Sequence, residues 1–201
     1  SPTVSAVTPA GPANNNAPIV AGTSPEAGST VALYSNAGCT TSLASGTAAA
    51  FASPGIAVAV ADDSTTTIHA TANDLAGNGP SVCSATSVTY VEDSTPPGTP
   101  QITAAPPALT NQTTANFTFT TPAPAPDTIE CRLTPAVPNF GPCTSPTTFT
   151  SGVLPDGTYT FTVRVADLAG NTATDSHAFE VDATNPAAPT LVTPPPLVAG
   201  T

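Results

Sequence analysis

The sequence of 201 residues contains no lysine, methionine or tryptophan, and its only basic residues are Arg132 and Arg164. Without lysine, neither a lysine–asparagine isopeptide cross-link nor a Schiff base with a carbonyl substrate can form. Thirteen acidic residues give a net charge of −11, so nucleic acid and anionic membrane surfaces are not expected partners. The absence of methionine is typical of a mature or excised segment.

Long apolar runs are also absent. No stretch approaches the roughly 20 apolar residues of a membrane-spanning helix, and the first residues do not resemble a signal peptide. We therefore expect no membrane insertion in this segment, with any export signal or anchor outside it. Charged residues make up 7% of the chain, which instead has 25 prolines and abundant threonine, serine and alanine, a composition that favours β structure.

No catalytic constellation is recognisable in the sequence. The two histidines, His69 and His177, fall in predicted strands of different halves, away from any nucleophile with an orienting acid. Serine and threonine are so abundant that a Ser–His pairing carries no information. We predict that the chain is not an enzyme.

The four cysteines divide evenly between the halves of the chain: Cys39 and Cys83, then Cys131 and Cys143. They form no C-x-x-C pair and have no accompanying histidine cluster, which argues against zinc. One disulfide in each half is predicted, and with it an oxidising compartment. In the chain-entropy model these bridges contribute about 4 and about 3 kcal/mol, respectively. An oxidising compartment implies a secreted location.

Internal repeats define the predicted domains. The sequence DLAGN occurs at 74–78 and again at 167–171, an offset of 93 (167 − 74), and each copy precedes one more strand and an acidic, proline-bearing linker. Domains over residues 1–94 and 95–185 are predicted. The sequence VAGT occurs at 20–23 and at 198–201, an offset of 178, so residues 186–201 are predicted to be a linker and the first strand of a following repeat.

Alternation of apolar and polar residues predicts strands throughout. Over residues 157–167, Tyr159, Phe161, Val163 and Val165 alternate with threonines and an arginine. Shorter alternating runs occur at 31–33, 56–60, 68–72, 88–90, 117–119 and 129–133. No window shows a helical pattern. Short strands separated by turn residues predict an all-β fold of tandem immunoglobulin-like β-sandwich domains.

The DLAGN repeats have two interpretations. In the first they are turns, with Gly77 and Gly170 at positive φ and acidic and amide side chains capping the backbone. In the second they contribute to a calcium site at the joint between domains, because calcium is bound by six to eight oxygens. The acids available for that site are Asp74, Glu92, Asp93, Asp167 and Asp182. Calcium is the one cofactor that the sequence suggests.

Three further residues are predicted to be structural. Arg132 and Arg164 share the outward parity of Glu130 and Glu180, which predicts a cross-strand charge cluster on the outer face of a sheet. Tyr159 follows Asp-Gly-Thr at the start of a strand and resembles a tyrosine corner, whose hydroxyl bonds to upstream backbone.

The segments 129–133, 141–146 and 154–171 together resemble one type of bacterial Ig-like repeat, and residues 28–34 through 74–78 resemble another. Both types occur in very long secreted adhesins and surface proteins. The resemblance implies tandem β-sandwiches that act as stalks or spacers, sometimes with calcium stiffening the joints.

The predicted function is therefore a structural spacer or stalk repeat of a secreted surface protein or extracellular filament. The alternative is an adhesin module that binds glycans or proteins, for which an exposed aromatic platform would be expected. Expected partners are neighbouring repeats or subunits of the same protein, including strand exchange through residues 1–23 or 186–201. Asn111 and Asn116 match the N-glycosylation pattern, which leaves glycosylation open.

Overall fold

The computed structural model describes residues 1–121 and 128–190. Within them the regular secondary structure is almost entirely β, as predicted, with four sheets and one short helix. Two sheets lie between residues 3 and 91, here called the first sandwich, and two between residues 101 and 181, here called the second sandwich.

The first sandwich pairs a three-stranded sheet with a four-stranded sheet. Its strands are β1 (Thr3–Thr8), β2 (Ile19–Thr23), β3 (Thr30–Tyr34), β4 (Ser42–Thr47), β5 (Ile56–Ala57), β6 (Thr65–Asn73) and β7 (Val88–Val91). The sheets have the orders β1-β2-β5 and β4-β3-β6-β7. Both contribute apolar side chains to one core, such as Val20 from the first and Leu33 and Ile68 from the second, all fully buried.

A five-residue helix, α1 (Ala48–Ala52), closes this core and was not predicted. The Thr47 side chain accepts a hydrogen bond from the Ala50 amide and so caps the helix, while Phe51 is completely buried. Five residues make little more than one turn, too short for a 3.6-residue periodicity to be visible in the sequence. Burial of Phe51 against the sheets stabilises a turn that would not persist alone.

The strand predicted over 56–60 is shorter than expected. Only Ile56–Ala57 forms a strand, although the Val58 amide still donates to the Pro18 carbonyl at 3.0 Å. Pro18 has no amide hydrogen and cannot return a ladder bond to this strand. The pairing therefore becomes irregular at this residue.

The second sandwich pairs a three-stranded sheet, β13-β10-β8, with a five-stranded sheet, β12-β11-β14-β15-β9. Its strands are β8 (Gln101–Ala104), β9 (Leu109–Thr110), β10 (Asn116–Thr120), β11 (Thr128–Thr134), β12 (Val137–Pro142), β13 (Thr148–Thr150), β14 (Gly157–Ala166) and β15 (Thr172–Val181). The core is rich in aromatic rings: the Phe161 ring stacks on Phe117 at a centroid distance of 4.1 Å and on Phe149 at 5.1 Å. The predicted inward face of β14 is buried.

Both predicted disulfides are present. Cys39 and Cys83 are joined in the first sandwich, with their Cα atoms 5.7 Å apart, and Cys131 and Cys143 are joined in the second, at 5.0 Å. Cys131 lies on β11 with 2% of its surface exposed, so its bridge ties the core to the residue that directly follows edge strand β12 (Val137–Pro142).

The strand-exchange prediction concerned residues 1–23 and residues 186–201, and only the first of these segments lies entirely within the described residues. Within residues 1–23, β1 and β2 pair with each other in antiparallel register inside the first sandwich. The second VAGT copy, at 198–201, and with it most of the predicted following repeat, lies outside the described residues.

Candidate functional site

Both DLAGN segments are tight turns closed by their own side chains. The Asp74 carboxylate accepts hydrogen bonds from the Asn78 backbone amide at 3.0 Å and from Asn78 Nδ2 at 2.6 Å. The Asp167 carboxylate accepts the same two bonds from Asn171, at 2.9 and 3.0 Å. Bonding first to the Asn78 side chain and then to its backbone amide lowers the pKa of Asp74.

The glycines of these turns have the left-handed conformation that the turn interpretation requires. Gly77 has φ of +78° and Gly170 has φ of +89°. A residue with a Cβ is strained in this region, whereas glycine is not. The turns therefore depend on both the glycine and the Asp–Asn pair that brackets it.

The second of these turns lies at the joint between the sandwiches. Asn171, 7% exposed, donates from Nδ2 to the Asp93 carbonyl at 2.9 Å, and the same atom is 3.5 Å from the Thr95 carbonyl. Its Oδ1 accepts a hydrogen bond from Asn14 Nδ2 at 2.6 Å. One side chain thus connects the second sandwich to the linker (residues 92–100) and to the first sandwich.

The other side of the linker is held by Asp63. Its carboxylate accepts hydrogen bonds from the amides of Ser94 and Thr95, both at 3.0 Å, and from the Thr95 hydroxyl at 2.7 Å. Buried Glu92 supports this arrangement, because its Oε2 accepts from the Asp63 amide at 2.6 Å. We call the set of bonds between Asp63 and residues 94–95 the linker clasp.

The second sandwich has an equivalent clasp at its own end. The Asp156 carboxylate accepts from the Ala183 amide at 2.8 Å and from the Thr184 hydroxyl. Sequence reasoning missed both clasps. The signal was present, since Asp63 and Asp156 are separated by 93 residues (156 − 63), the offset of the DLAGN repeat.

The acids proposed for calcium are engaged in local hydrogen bonds. Asp74 and Asp167 close their turns, Glu92 bonds to Asp63, and the carboxylates of Asp93 and Asp182 accept from the amides two residues on, at 3.3 and 3.2 Å. Among the described residues, no group of three or more acidic, histidine or cysteine side chains is placed to hold a metal ion. They do not form one ligand set, and calcium binding stays a prediction for titration calorimetry.

The two arginines cluster with Glu130 and an unpredicted aromatic ring, Phe140. Arg164 forms an ion pair with Glu130 directly across the β11–β14 ladder, with Nη2 and Oε2 2.5 Å apart. The guanidinium carbons of Arg164 and Arg132 lie 3.9 and 4.5 Å from the Phe140 ring centroid. Both members of the ion pair are about one-third exposed, so it contributes at most about 1 kcal/mol.

The expected place of Glu180 in this cluster was wrong. Glu180 lies opposite Thr158 on β14, whereas Arg164 lies opposite Thr174. Outward parity predicted the correct face of the sheet, but the antiparallel register separates these residues along the strands by six positions (164 − 158).

Tyr159 makes the tyrosine-corner contact: its hydroxyl donates to the Pro155 carbonyl at 2.8 Å, and the ring is buried. Replacing Tyr159 with phenylalanine is expected to destabilise the second sandwich by about 1 kcal/mol, because the carbonyl loses its partner while packing is retained. Chemical denaturation measures this. Tyr90→Phe is the matched change in the first sandwich, where the hydroxyl donates to the Asn15 carbonyl at 2.9 Å. If either substitution destabilised both sandwiches equally, the assignment of each tyrosine hydroxyl to the stability of its own sandwich would be wrong.

The linker clasp should open in acid. The Thr95 hydroxyl, and then the amides of Ser94 and Thr95, hold the pKa of Asp63 below its ordinary value of 3.8. A lowered pKa in the folded chain means that the clasp stabilises the joint above about pH 3.8 and is lost as the pH falls through the folded value. The protection of the Thr95 amide from hydrogen exchange, relative to an unfolded chain at the same pH, should fall over that range.

Asp63→Asn should remove this dependence on pH and leave the Thr95 amide poorly protected at neutral pH. Asp62→Asn is the control, because Asp62 bonds to Asn16 rather than to the linker. If the control changed the Thr95 exchange rate as much as Asp63→Asn, the clasp would not be the cause.

The residues of the second sandwich match a known protein family. Residues 103–183 match the bacterial Ig-like domain family. The predicted resemblance to bacterial Ig-like repeats is thereby confirmed for this part of the chain. The family and the two disulfides are typical of extracellular proteins.

The fold of one solved structure is similar to that of this chain. The fibronectin(III)-like modules of Clostridium thermocellum CbhA cover 90% of this chain and 94% of their own, with 15% identity and a TM-score of 0.54. A chain from the crystal structure of a mouse coronavirus receptor-binding domain complexed with its murine receptor is similar over 90% of this chain and 99% of its own, with 11% identity and a TM-score of 0.48. No curated protein matched the sequence.

The described part of the chain also contains no helix with the length and apolar character needed to cross a bilayer. The candidate functional region of the chain is the joint formed by the linker, Asp63, Asn14 and Asn171.

Proposed function

We propose that the chain is a structural spacer of a secreted bacterial surface protein or extracellular filament, and that it has no catalytic role. The observation that carries this proposal is the joint. Linker residues 93–95 are hydrogen-bonded on one side to Asp63 of the first sandwich and on the other to Asn171 of the Ig-like domain. A linker whose first residues are bonded to both sandwiches restricts the angle between the domains, which is what a spacer requires.

The composition of the linker supports the same function. Pro96, Pro97 and Pro100 fix φ and provide no amide donors, so the backbone between the clasp and strand β8 has few conformations to lose. The clasp at Asp156 fixes the residues after the Ig-like domain in the same way. A clasp therefore fixes the backbone on each side of that domain, which favours a stiff connection at both of its ends.

The aromatic side chains favour a spacer over a glycan-binding adhesin module. Glycan platforms rely on exposed aromatic rings, and the chain has seven phenylalanines, three tyrosines and no tryptophan. Eight of these ten rings are buried, and Tyr34 and Phe140 are half-buried. The large apolar side chains that the described residues expose are aliphatic, for example Leu75, Val82 and Leu168.

Small-angle scattering of the full chain tests the spacer proposal. A compact globule of this length has a radius of gyration of about 16 Å, whereas two domains with centres ~40 Å apart give about 23 Å. We expect the larger value, and a reduction in it or a broader distance distribution for Asp63→Asn but not for Asp62→Asn. A value near that of the compact globule would contradict the proposal, as would specific glycan binding on an array.

A further inference from the structure

The joint is made by three parts: a DLAGN turn, a linker and the end of a sandwich. The chain contains a second copy of each part, and among the described residues the second turn forms no hydrogen bond with the other two. In the joint, the turn supplies Asn171, the linker supplies the carbonyls of Asp93 and Thr95, and the end of the first sandwich supplies Asn14. The other turn supplies Asn78, which forms the same internal bonds as Asn171. The clasp at Asp156 holds residues 183–184 as the clasp at Asp63 holds residues 94–95.

Backbone pairing identifies the third part. In the first sandwich Ala13 pairs in parallel with Glu92, and its carbonyl accepts from the Asp93 amide at 3.2 Å. In the second sandwich Thr110 pairs in parallel with Val181, and its carbonyl accepts from the Asp182 amide at 2.9 Å.

Ala13 and Thr110 are therefore equivalent, and so are the residues that follow them, Asn14 and Asn111. Asn111 is exposed at the end of the second sandwich. The same amide side chain thus stands at the equivalent position, beside a linker held by an equivalent clasp.

Asn78 has unused hydrogen-bonding capacity that Asn171 uses. A side-chain amide has two N–H donors and one acceptor oxygen. Asn171 gives one N–H to Asp167 and another to the linker, and its oxygen accepts from Asn14. Among the described residues Asn78 gives Nδ2 only to Asp74, and the side chain is exposed.

The spacing of the second linker matches the first. Five positions separate Thr95 from Pro100, which directly precedes β8, and five separate Thr184 from Pro189 (189 − 184). Pro2 directly precedes β1 in the same way. A first-type sandwich that starts at the position of Pro189 would therefore meet the second linker at the distance found in the existing joint.

We propose that the end of the second sandwich docks onto the 74–78 turn of a second copy of this chain. In this contact Asn78 of the second copy donates its second N–H to the carbonyl of Asp182, beside that of Thr184, and Asn111 donates to the side-chain oxygen of Asn78. The proposal rests on the spacer function and adds the surface and the partner that continue the array.

A tandem chain tests the contact. Residue 187 of one copy is joined to Ser1 of a complete second copy, which places Pro2 five positions after Thr184 and keeps all four sheets of each copy. The test pair is Asn111→Cys in the first copy with Asn78→Cys in the second. The matched positive control is the single chain with Asn14→Cys and Asn171→Cys. The negative control is the tandem chain with Asn111→Cys in the first copy and Asp62→Cys in the second. Strand β6 separates Asp62 from the turn.

Reaction with a short bis-maleimide is the readout. The test pair should cross-link at least about tenfold faster than the negative control and at a rate close to the positive control, because docking raises the effective concentration of the two thiols. A test pair no faster than the negative control, with a reactive positive control, would overturn the proposal.

A second measurement needs no cysteine substitution. In the unmodified tandem chain, the side-chain amide of Asn78 should give two sets of NMR resonances, with that of the second copy shifted and protected from exchange. One coincident set would overturn the contact. Scattering from the same sample separates the two proposals: an extended tandem without the contact leaves the spacer function standing, whereas a compact tandem contradicts both.

Discussion

Replacing Cys39 and Cys83 with serine is expected to lower the free energy of unfolding of the first sandwich by about 4 kcal/mol. The bridge closes a loop of 44 residues, and opening it returns that conformational entropy to the unfolded chain. Both cysteines are only partly buried, so serine adds little cost in the folded state. Calorimetry of the full chain should show one of two transitions moving to lower temperature.

The matched change is Cys131→Ala with Cys143→Ala, which opens a loop of only 12 residues. It should destabilise the other sandwich, by about 3 kcal/mol from loop entropy, plus the cavity left by buried Cys131. Loss of both transitions together in either variant would show that the sandwiches do not unfold independently, and would contradict the assignment of one bridge to each core.

Replacing Phe161 with alanine is expected to cost about 3–5 kcal/mol in the second sandwich. The Phe161 side chain is fully buried and stacks on the rings of both Phe117 and Phe149. Its removal leaves a cavity at the centre of the aromatic core, where three rings are held by one another. Chemical denaturation, monitored by tyrosine fluorescence and near-ultraviolet circular dichroism, measures the loss.

Phe140→Ala is the control, because this ring belongs to the same sandwich but lies on the outer face beneath Arg132 and Arg164. We expect a loss of about 1–2 kcal/mol there, from two partly exposed cation–π contacts. Equal losses for the two variants would mean that Phe161 does not organise the core.

Local alternation was enough to predict the strongest strands. The inward residues of β14 and the two phenylalanines of β10 alternate with polar residues, and this alternation predicts half-buried strands. Successive side chains of a strand point to opposite faces of the sheet, so a period of two indicates one buried and one exposed face. The short helix could not be predicted, because Phe51 is its only large apolar residue and the core of the first sandwich decides its position. The early end of β5 depends on Pro18, which is 38 residues away from Ile56 in sequence (56 − 18).

The candidate site was less visible, and the reason is also physical. Both DLAGN turns are visible in the sequence, since their glycines and acids are local signals. The contacts that make one turn a joint connect Asn171 to residues at least 76 positions earlier, and a single side chain leaves no periodic pattern. The failed pairing of Glu180 has a similar origin, because parity gives the face of a strand and not its register.

The position of the two cystines also sets how far the chain can lengthen under load. An extended residue spans at most about 3.6 Å, so the 44 residues enclosed by Cys39 and Cys83 would withhold roughly 150 Å of contour length from a pulled first sandwich. The 12-residue loop in the second sandwich withholds only about 40 Å. Two domains of similar size would therefore gain very different contour lengths when they unfold under force. A fibre built from them would show an alternating pattern of long and short extensions.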